Sequence, residues 1–226
     1  MEKTENPSLR PESIHRAVYP KEHIHPFAHW RFSKPLTIAA GFETVEKDPV
    51  WYTLLQRNGK MKPFKMPFII DVEASGFGPF SYPIEIGLAL GPDERFCTLI
   101  KPEAHWEHWD PKAEALHGID RDTLILNGKP VKTVADQLNK LLGSATVYSD
   151  GWVVDKPWVN TLFDTARIRR AFFISPLELI LSEPQMEIWH EVKQQVLSKN
   201  RFERHRACND ASIIQQTYME TLKLLK

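Results

Sequence analysis

Cysteine is nearly missing from this chain: Cys97 and Cys208 are the only two in 226 residues. That excludes a disulfide-stapled secreted scaffold and fits a reducing compartment, with Cys208 read as a small buried side chain. Long apolar runs are missing too. The opening MEKTENPSLR has no signal-peptide core, and no run approaches the roughly 18 apolar residues of a membrane span, so the expectation is a soluble cytoplasmic protein with no membrane partner. Net charge is absent, since 29 Lys/Arg balance 29 Asp/Glu. A broad basic coat for nucleic acid is thereby excluded. At 42% hydrophobic residues the chain can fill a core, which excludes disorder throughout.

The zero charge is a cancellation. Residues 1–66 carry 11 Lys/Arg against 7 Asp/Glu, residues 67–166 carry 8 against 15, and residues 167–206 carry 8 against 5. An acidic block lies between two basic segments, a pattern that fits a solvated surface or a cation-binding centre with basic flanks. The first segment contains seven prolines and reads as an irregular extension, with a short helix expected from about Val45 to Gln56. His15, His23, His25 and His29 crowd it. No cysteine or well-spaced carboxylate completes a ligand set there, so they read as solvated or packing side chains. Arg57, Lys60, Lys62 and Lys65 form a basic run before the next element, either a soluble linker or a phosphate contact.

From Pro67 onward the pattern is that of a globular α/β domain. Phe68 to Glu73 is a buried strand ending in carboxylates, with a turn at Ala74-Ser75-Gly76-Phe77-Gly78. Strands at Ile84–Leu90 and Arg95–Ile100, separated by Gly91-Pro92-Asp93, complete an antiparallel meander. Helices are expected near 111–117, 133–142, 155–167, 185–199 and 209–225, with strands at 145–149 and 171–174. The last helix carries a packing stripe of Ile213, Ile214, Tyr218, Leu222 and Leu225.

Asp71 and Glu73 stand two apart on a strand, which puts both on one face, close enough to bind one divalent ion jointly. Their strand is otherwise apolar, where unpaired charge is costly. Asp155 falls in the first turn of a helix, where it could equally serve the helix dipole. His205-Arg206-Ala207-Cys208-Asn209-Asp210 leads into the final helix.

In this order, Ile69-Ile70-Asp71-Val72-Glu73-Ala74-Ser75-Gly76, the Asp155 segment, and His205-Arg206-Ala207 followed by Asp210-Ala211 resemble the DEDDh exonuclease family. That group includes ribonuclease T, oligoribonuclease and the epsilon subunit of DNA polymerase III. Leu116-His117-Gly118-Ile119 is a supporting local match. The resemblance covers residues 67–226 and implies a ribonuclease-H-like α/β fold, a mixed five-stranded sheet flanked by helices, behind an N-terminal extension of residues 1–66. It departs from the family at Val154, where an aromatic usually precedes the second-motif aspartate, so Asp150 stands as a rival to Asp155.

The implied activity is metal-dependent 3′→5′ cleavage of single-stranded DNA or RNA to nucleoside 5′-monophosphates. Two Mg²⁺ or Mn²⁺ ions would be held by Asp71, Glu73, Asp155 and Asp210, with His205 as general base. Ala74, Ser75, Gly76, Phe77 and His117 would meet the terminal nucleotide, and Phe77, Phe80 or Tyr82 could stack on a base. Homodimers occur in the family, so a homodimer is expected. Two other readings stand beside this one. The first is a phosphodiesterase for very short oligonucleotides or nucleotide-like small molecules, and the second a silent nucleic-acid-binding or scaffold module.

Overall fold

A computed structural model describes residues 51–55, 61–199 and 204–225, with side chains from residue 65. The histidine-rich arm lies outside the described residues, as do Arg57 and Lys60 of the basic run. Two strands, β1 (Trp51–Leu55) and β2 (Met61–Lys65), pair antiparallel from Trp51 opposite Lys65 to Leu55 opposite Met61. The helix expected near 45–56 is therefore corrected over 51–55. Trp51, Tyr52 and Thr53 favour a pleated backbone, and Asn58-Gly59 is a strong sequence signal for a hairpin.

The main sheet comprises β3 (Phe68–Ala74), β4 (Pro83–Ala89), β5 (Arg95–Leu99), β6 (Thr146–Ser149) and β7 (Phe173–Pro176), in the order β5-β4-β3-β6-β7. The first three form the expected antiparallel meander; β6 and β7 run parallel to β3. Six helices accompany it among the described residues: α1 (Pro111–His117), α2 (Arg121–Asn127), α3 (Val131–Leu142), α4 (Trp152–Ala166), α5 (Glu183–Lys199) and α6 (Ala207–Leu224). The mixed sheet flanked by helices agrees with the sequence expectation. Helix α2 does not appear in it. Asp120 starts it by accepting the Thr123 N–H.

Alternation along β3 and β4 divides the core. Ile70, Val72, Ile84, Ile86 and Leu88 join Val134, Leu138, Val159 and Leu162 of α3 and α4 in one large apolar cluster. Ile69 and Ala89 instead pack with Ala211 and Ile214 of α6. Because strand side chains alternate, Asp71 and Glu73 share the face of Ile69, and Glu85 and Gly87 share that of Ala89. This is the face that α6 covers. The stripe expected on α6 splits accordingly: Ile214 and Tyr218 go to the sheet, while Ile213 packs with Val192 and Val196 of α5.

The two cysteines correct the sequence reading. Cys97 on β5 stands opposite Gly87 in register, and it is bonded to Cys208 in the first turn of α6. Cys208 is neither free nor a small buried thiol. Two cysteines 111 residues apart give no sequence signal of pairing; the sheet order brings them together.

Candidate active site

The acidic residues converge where β3 and β6 end. The last residues of β3 supply Asp71 and Glu73, and a register shift between Glu73 and Ala74 ends regular pairing with β4. Asp155 enters from the first turn of α4, immediately after β6. It is only 3% exposed, accepts the Ser149 hydroxyl at Oδ2, and is held by the Val72 backbone N–H as well. Asp210 enters from the first turn of α6, with Oδ2 accepting the His205 N–H at 2.7 Å. His205 takes a left-handed backbone conformation (φ 62°) to make that bond, a conformation that side-chain-bearing residues seldom adopt.

Burial and mutual repulsion act together on these acids. Asp71 is held well above the usual carboxylate range, first by burial and then by Asp155, Glu73, Asp210 and Asp150. Glu73 is pushed up to about 8 by burial, then by Asp210, Glu85 and Asp155, with Arg206 pulling partly back. Asp155 rises to about 7, chiefly through burial and against the Ser149 hydrogen bond. Burial also raises Asp210, against the His205 N–H. His205 moves the other way: burial and then Arg204 lower it, which favours the neutral imidazole.

A cluster of this kind fits a hard divalent cation. Glu73, His205 and Asp210 each offer one ligand atom, all within 4.8 Å of one another. Asp155 stands close enough to Asp71 to raise its charging cost. Oxygen donors with uncompensated negative charge suit Mg²⁺ or Mn²⁺. Asp150 is placed differently from Asp155: it is exposed and pairs with Lys193 of α5 at 2.7 Å.

One residue of the site has no counterpart among the sequence candidates. Glu85, opposite Glu73 in register, is buried and accepts from Arg206 at 2.7 Å (Nη2) and 3.1 Å (Nε), and from the Ala207 N–H at 3.0 Å. It anchors the entry to α6 between His205 and Asp210. The available signal was a lone carboxylate inside the apolar run Ile84-Glu85-Ile86. Beside it, a Cβ on Gly87 would come within 2.2 Å of the Ala207 backbone, so β4 must carry glycine there for α6 to approach.

The turn after Glu73 is tightly fixed. Ser75 is buried: its Oγ accepts the Tyr82 N–H at 3.1 Å and lies 3.0 Å from His108 Nδ1. Ala74 is buried also. Gly76 (φ 136°) admits no side chain, because a Cβ would meet Asp110 at 2.6 Å. Phe77 and Phe80 are 72% and 80% exposed, and Phe77 lies 5.9 Å from the Trp158 ring. Tyr82 is fully buried against Trp106, which corrects its candidacy as a base-stacking residue. His117 is buried, and its Nδ1 accepts the Ile119 N–H at 3.1 Å. The proton of the neutral ring is therefore on Nε2, which is buried without a partner.

No family model matches the sequence, and no curated protein does. Solved structures do. Escherichia coli exonuclease I in complex with a dA16 oligonucleotide is similar with a TM-score of 0.51 at 13% identity, over 70% of this chain and 40% of that one. Its zinc-ion-bound complex with single-stranded DNA gives 0.50 and 13% over 69% and 39%. The chain thus spans about two fifths of the structures it matches. The likeness shows the fold, which is ribonuclease-H-like. Among the described residues no helix is long and apolar enough to cross a membrane.

Proposed function

We propose that this chain is a metal-dependent 3′→5′ exonuclease of the DEDDh type, acting on single-stranded nucleic acid. The observation that carries the reading is the convergence of Asp71, Glu73, Asp155 and Asp210 with His205 at the ends of β3 and β6. Neither a solvated acidic face nor a simple packing role accounts for buried carboxylates that repel one another.

Asp71, Glu73, Asp155 and Asp210 hold divalent ions, Mg²⁺ or Mn²⁺. When bound, such ions neutralise the scissile phosphate and supply Lewis acidity to the attacking water and the leaving oxygen. His205, kept neutral by burial, takes the water proton. The Glu85 clamp on Arg206 and Ala207 keeps His205 and Asp210 in step, since both belong to the segment it anchors. Exposed Phe77 and Phe80 offer apolar faces to bases, and the turn at Ala74–Gly76 offers backbone to the terminal nucleotide. The unpartnered His117 Nε2–H leaves a donor for that nucleotide. Burial and its pairing with Ser149 favour Asp155 over Asp150 as the second-motif ligand. The oligonucleotide-bound structures of exonuclease I support single-stranded DNA as the first polymer to test.

The test is incubation with 5′-labelled single-stranded DNA and RNA in Mg²⁺, Mn²⁺ or EDTA. A metal-dependent ladder shortening from the 3′ end is the expected result. Absence of product with every metal overturns the reading. Cleavage confined to strands of a few nucleotides transfers it to the short-oligonucleotide phosphodiesterase.

A further inference from the structure

Arg167, Arg169 and Arg170, which open the second basic segment, follow the end of α4 opposite to Asp155. Helix α4 carries Asp155 in its first turn and runs 15 residues to Ala166, about 22 Å at 1.5 Å per residue. Its far end and the segment leading into β7 enclose a cleft of about 640 Å³, walled in part by Asn160, Asp164, Arg169, Arg170 and Phe173.

The cleft is rigidly built. Arg167 closes α4 in a left-handed conformation (φ 54°), its N–H donating to the Asp164 and Phe163 carbonyls. Asn139 of α3 then grips the following loop at two points. Its Nδ2 donates to the Arg169 carbonyl and its Oδ1 accepts the Ala171 N–H, both at 2.9 Å. On this frame the Arg170 guanidinium lies 5.4 Å from the Phe172 ring centre, and its Nη1 is shielded from solvent with no acceptor. None of the ion pairs among the described residues involves Arg167, Arg169 or Arg170. Asp164, on the same wall, pairs with none of them. Phe173 is 62% exposed at the mouth.

Arg169 is exposed at the cleft with no ion-pair partner among the described residues, and phosphate oxygens match the planar donors of a guanidinium. The α4 C-terminal dipole opposes an anion, but that effect fades within one turn, so the arginines decide the sign. An exposed phenylalanine beside a cation is the combination that holds single strands, through stacking and phosphate contact together.

We propose that this cleft is a second nucleic-acid site, gripping a phosphate of the strand whose 3′ end occupies the acidic site. The proposal rests on the exonuclease reading. At about 3.4 Å per stacked nucleotide, the rise of about 16 Å from Asp155 to Ala166 corresponds to about five nucleotides, so a stacked trinucleotide cannot bridge the two sites and a long strand can.

The experiment measures binding of labelled single-stranded DNA, a trinucleotide and a strand of about 20 nucleotides, to the full chain in EDTA. Wild type is compared with Arg169→Ala, Arg169→Glu and Arg170→Gln, and trinucleotide cleavage in Mn²⁺ is recorded in parallel. The long strand is expected to bind roughly fivefold to tenfold more weakly to the variants, and most weakly to Arg169→Glu. Its salt slope should fall by about 0.7 per lost phosphate contact, while trinucleotide cleavage stays at the wild-type rate. Arg169 is exposed, so its variants carry the test if Arg170→Gln fails to fold. Variants with wild-type long-strand affinity and salt slope, beside a wild type that cleaves the trinucleotide, overturn this site alone. A wild type that neither binds nor cleaves any strand overturns the exonuclease reading and this site with it.

Discussion

Glu85 and Arg206 lie 121 residues apart in sequence and meet in a two-point ion pair beneath the acidic site. The glutamate is buried and the arginine is about one third exposed. The pair ties the middle of β4 to the residue between His205 and the start of α6, so the geometry of the third acidic segment depends on a strand that contributes no metal ligand.

Replacing Glu85 with alanine removes the ion pair from a partly buried guanidinium and the acceptor from the Ala207 N–H. Losing one partner of such a pair costs about 3–5 kcal/mol when buried, and less here because Arg206 reaches solvent. Urea unfolding should show a loss of about 2–3 kcal/mol, and Mn²⁺ titration a weakened site. Glu85→Gln, which keeps an acceptor for Ala207, should recover part of the stability. Wild-type Mn²⁺ affinity in the alanine variant would remove the positioning role.

Asp155 and Asp150 separate cleanly by environment. Asp155→Asn should lower turnover by at least about a thousandfold, the scale of losing a principal charge-stabilising group. Asp150→Asn breaks an exposed pair with Lys193, worth about 0–1 kcal/mol. It should leave turnover within about tenfold, or roughly 1.4 kcal/mol. The reverse ranking in single-turnover assays would assign the second ligand to Asp150.

Glu73 at about 8 and Asp155 at about 7 both sit above their ordinary values near 4. A carboxyl raised by folding makes the native state bind more protons than the unfolded chain. Its contribution to stability is full below the unfolded value and is lost as pH rises through about 7 to 8. In EDTA the melting temperature should therefore be lower near pH 8 than near pH 5. Mn²⁺ should raise it strongly near pH 8, where the acids are ionised, and little near pH 5, where protons compete. Differential scanning fluorimetry at both pH values reads this directly. A metal effect that is larger near pH 5 contradicts the assignment.

The Cys97–Cys208 bond joins an edge strand to the helix bearing Asp210. Chain-entropy arguments put a crosslink over about a hundred residues near 4–5 kcal/mol, an upper figure because unfolded chains keep residual structure. Cys97→Ser and reductant should each lower the urea midpoint, and reductant should have no further effect on the variant. Thiol titration of the oxidised, unfolded protein should count no free thiol.

Asp71, Glu73 and the strand beneath them were readable because alternation is a local property: two residues apart on a pleated strand must share a face. Asp155, His205 and Asp210 were readable through motif order and their place at helix starts. Glu85 was not, since a carboxylate in an apolar strand reveals its partner only after β4 has been laid against α6. Tyr82 looked available in the sequence and is buried, because the turn after Glu73 folds it onto Trp106. The hairpin strand at 51–55 overrode a weak helical pattern through strand propensity and a pairing partner beyond the window.

Local chemistry in the chain thus decided the elements, the acids and their order. Tertiary structure alone decided which of them face one another. Sheet order set Cys97 against Cys208 and α6 over Glu85 and Gly87. Each is a pairing across long sequence separation, settled by how helices pack on a sheet rather than by the spacing of residues along the chain.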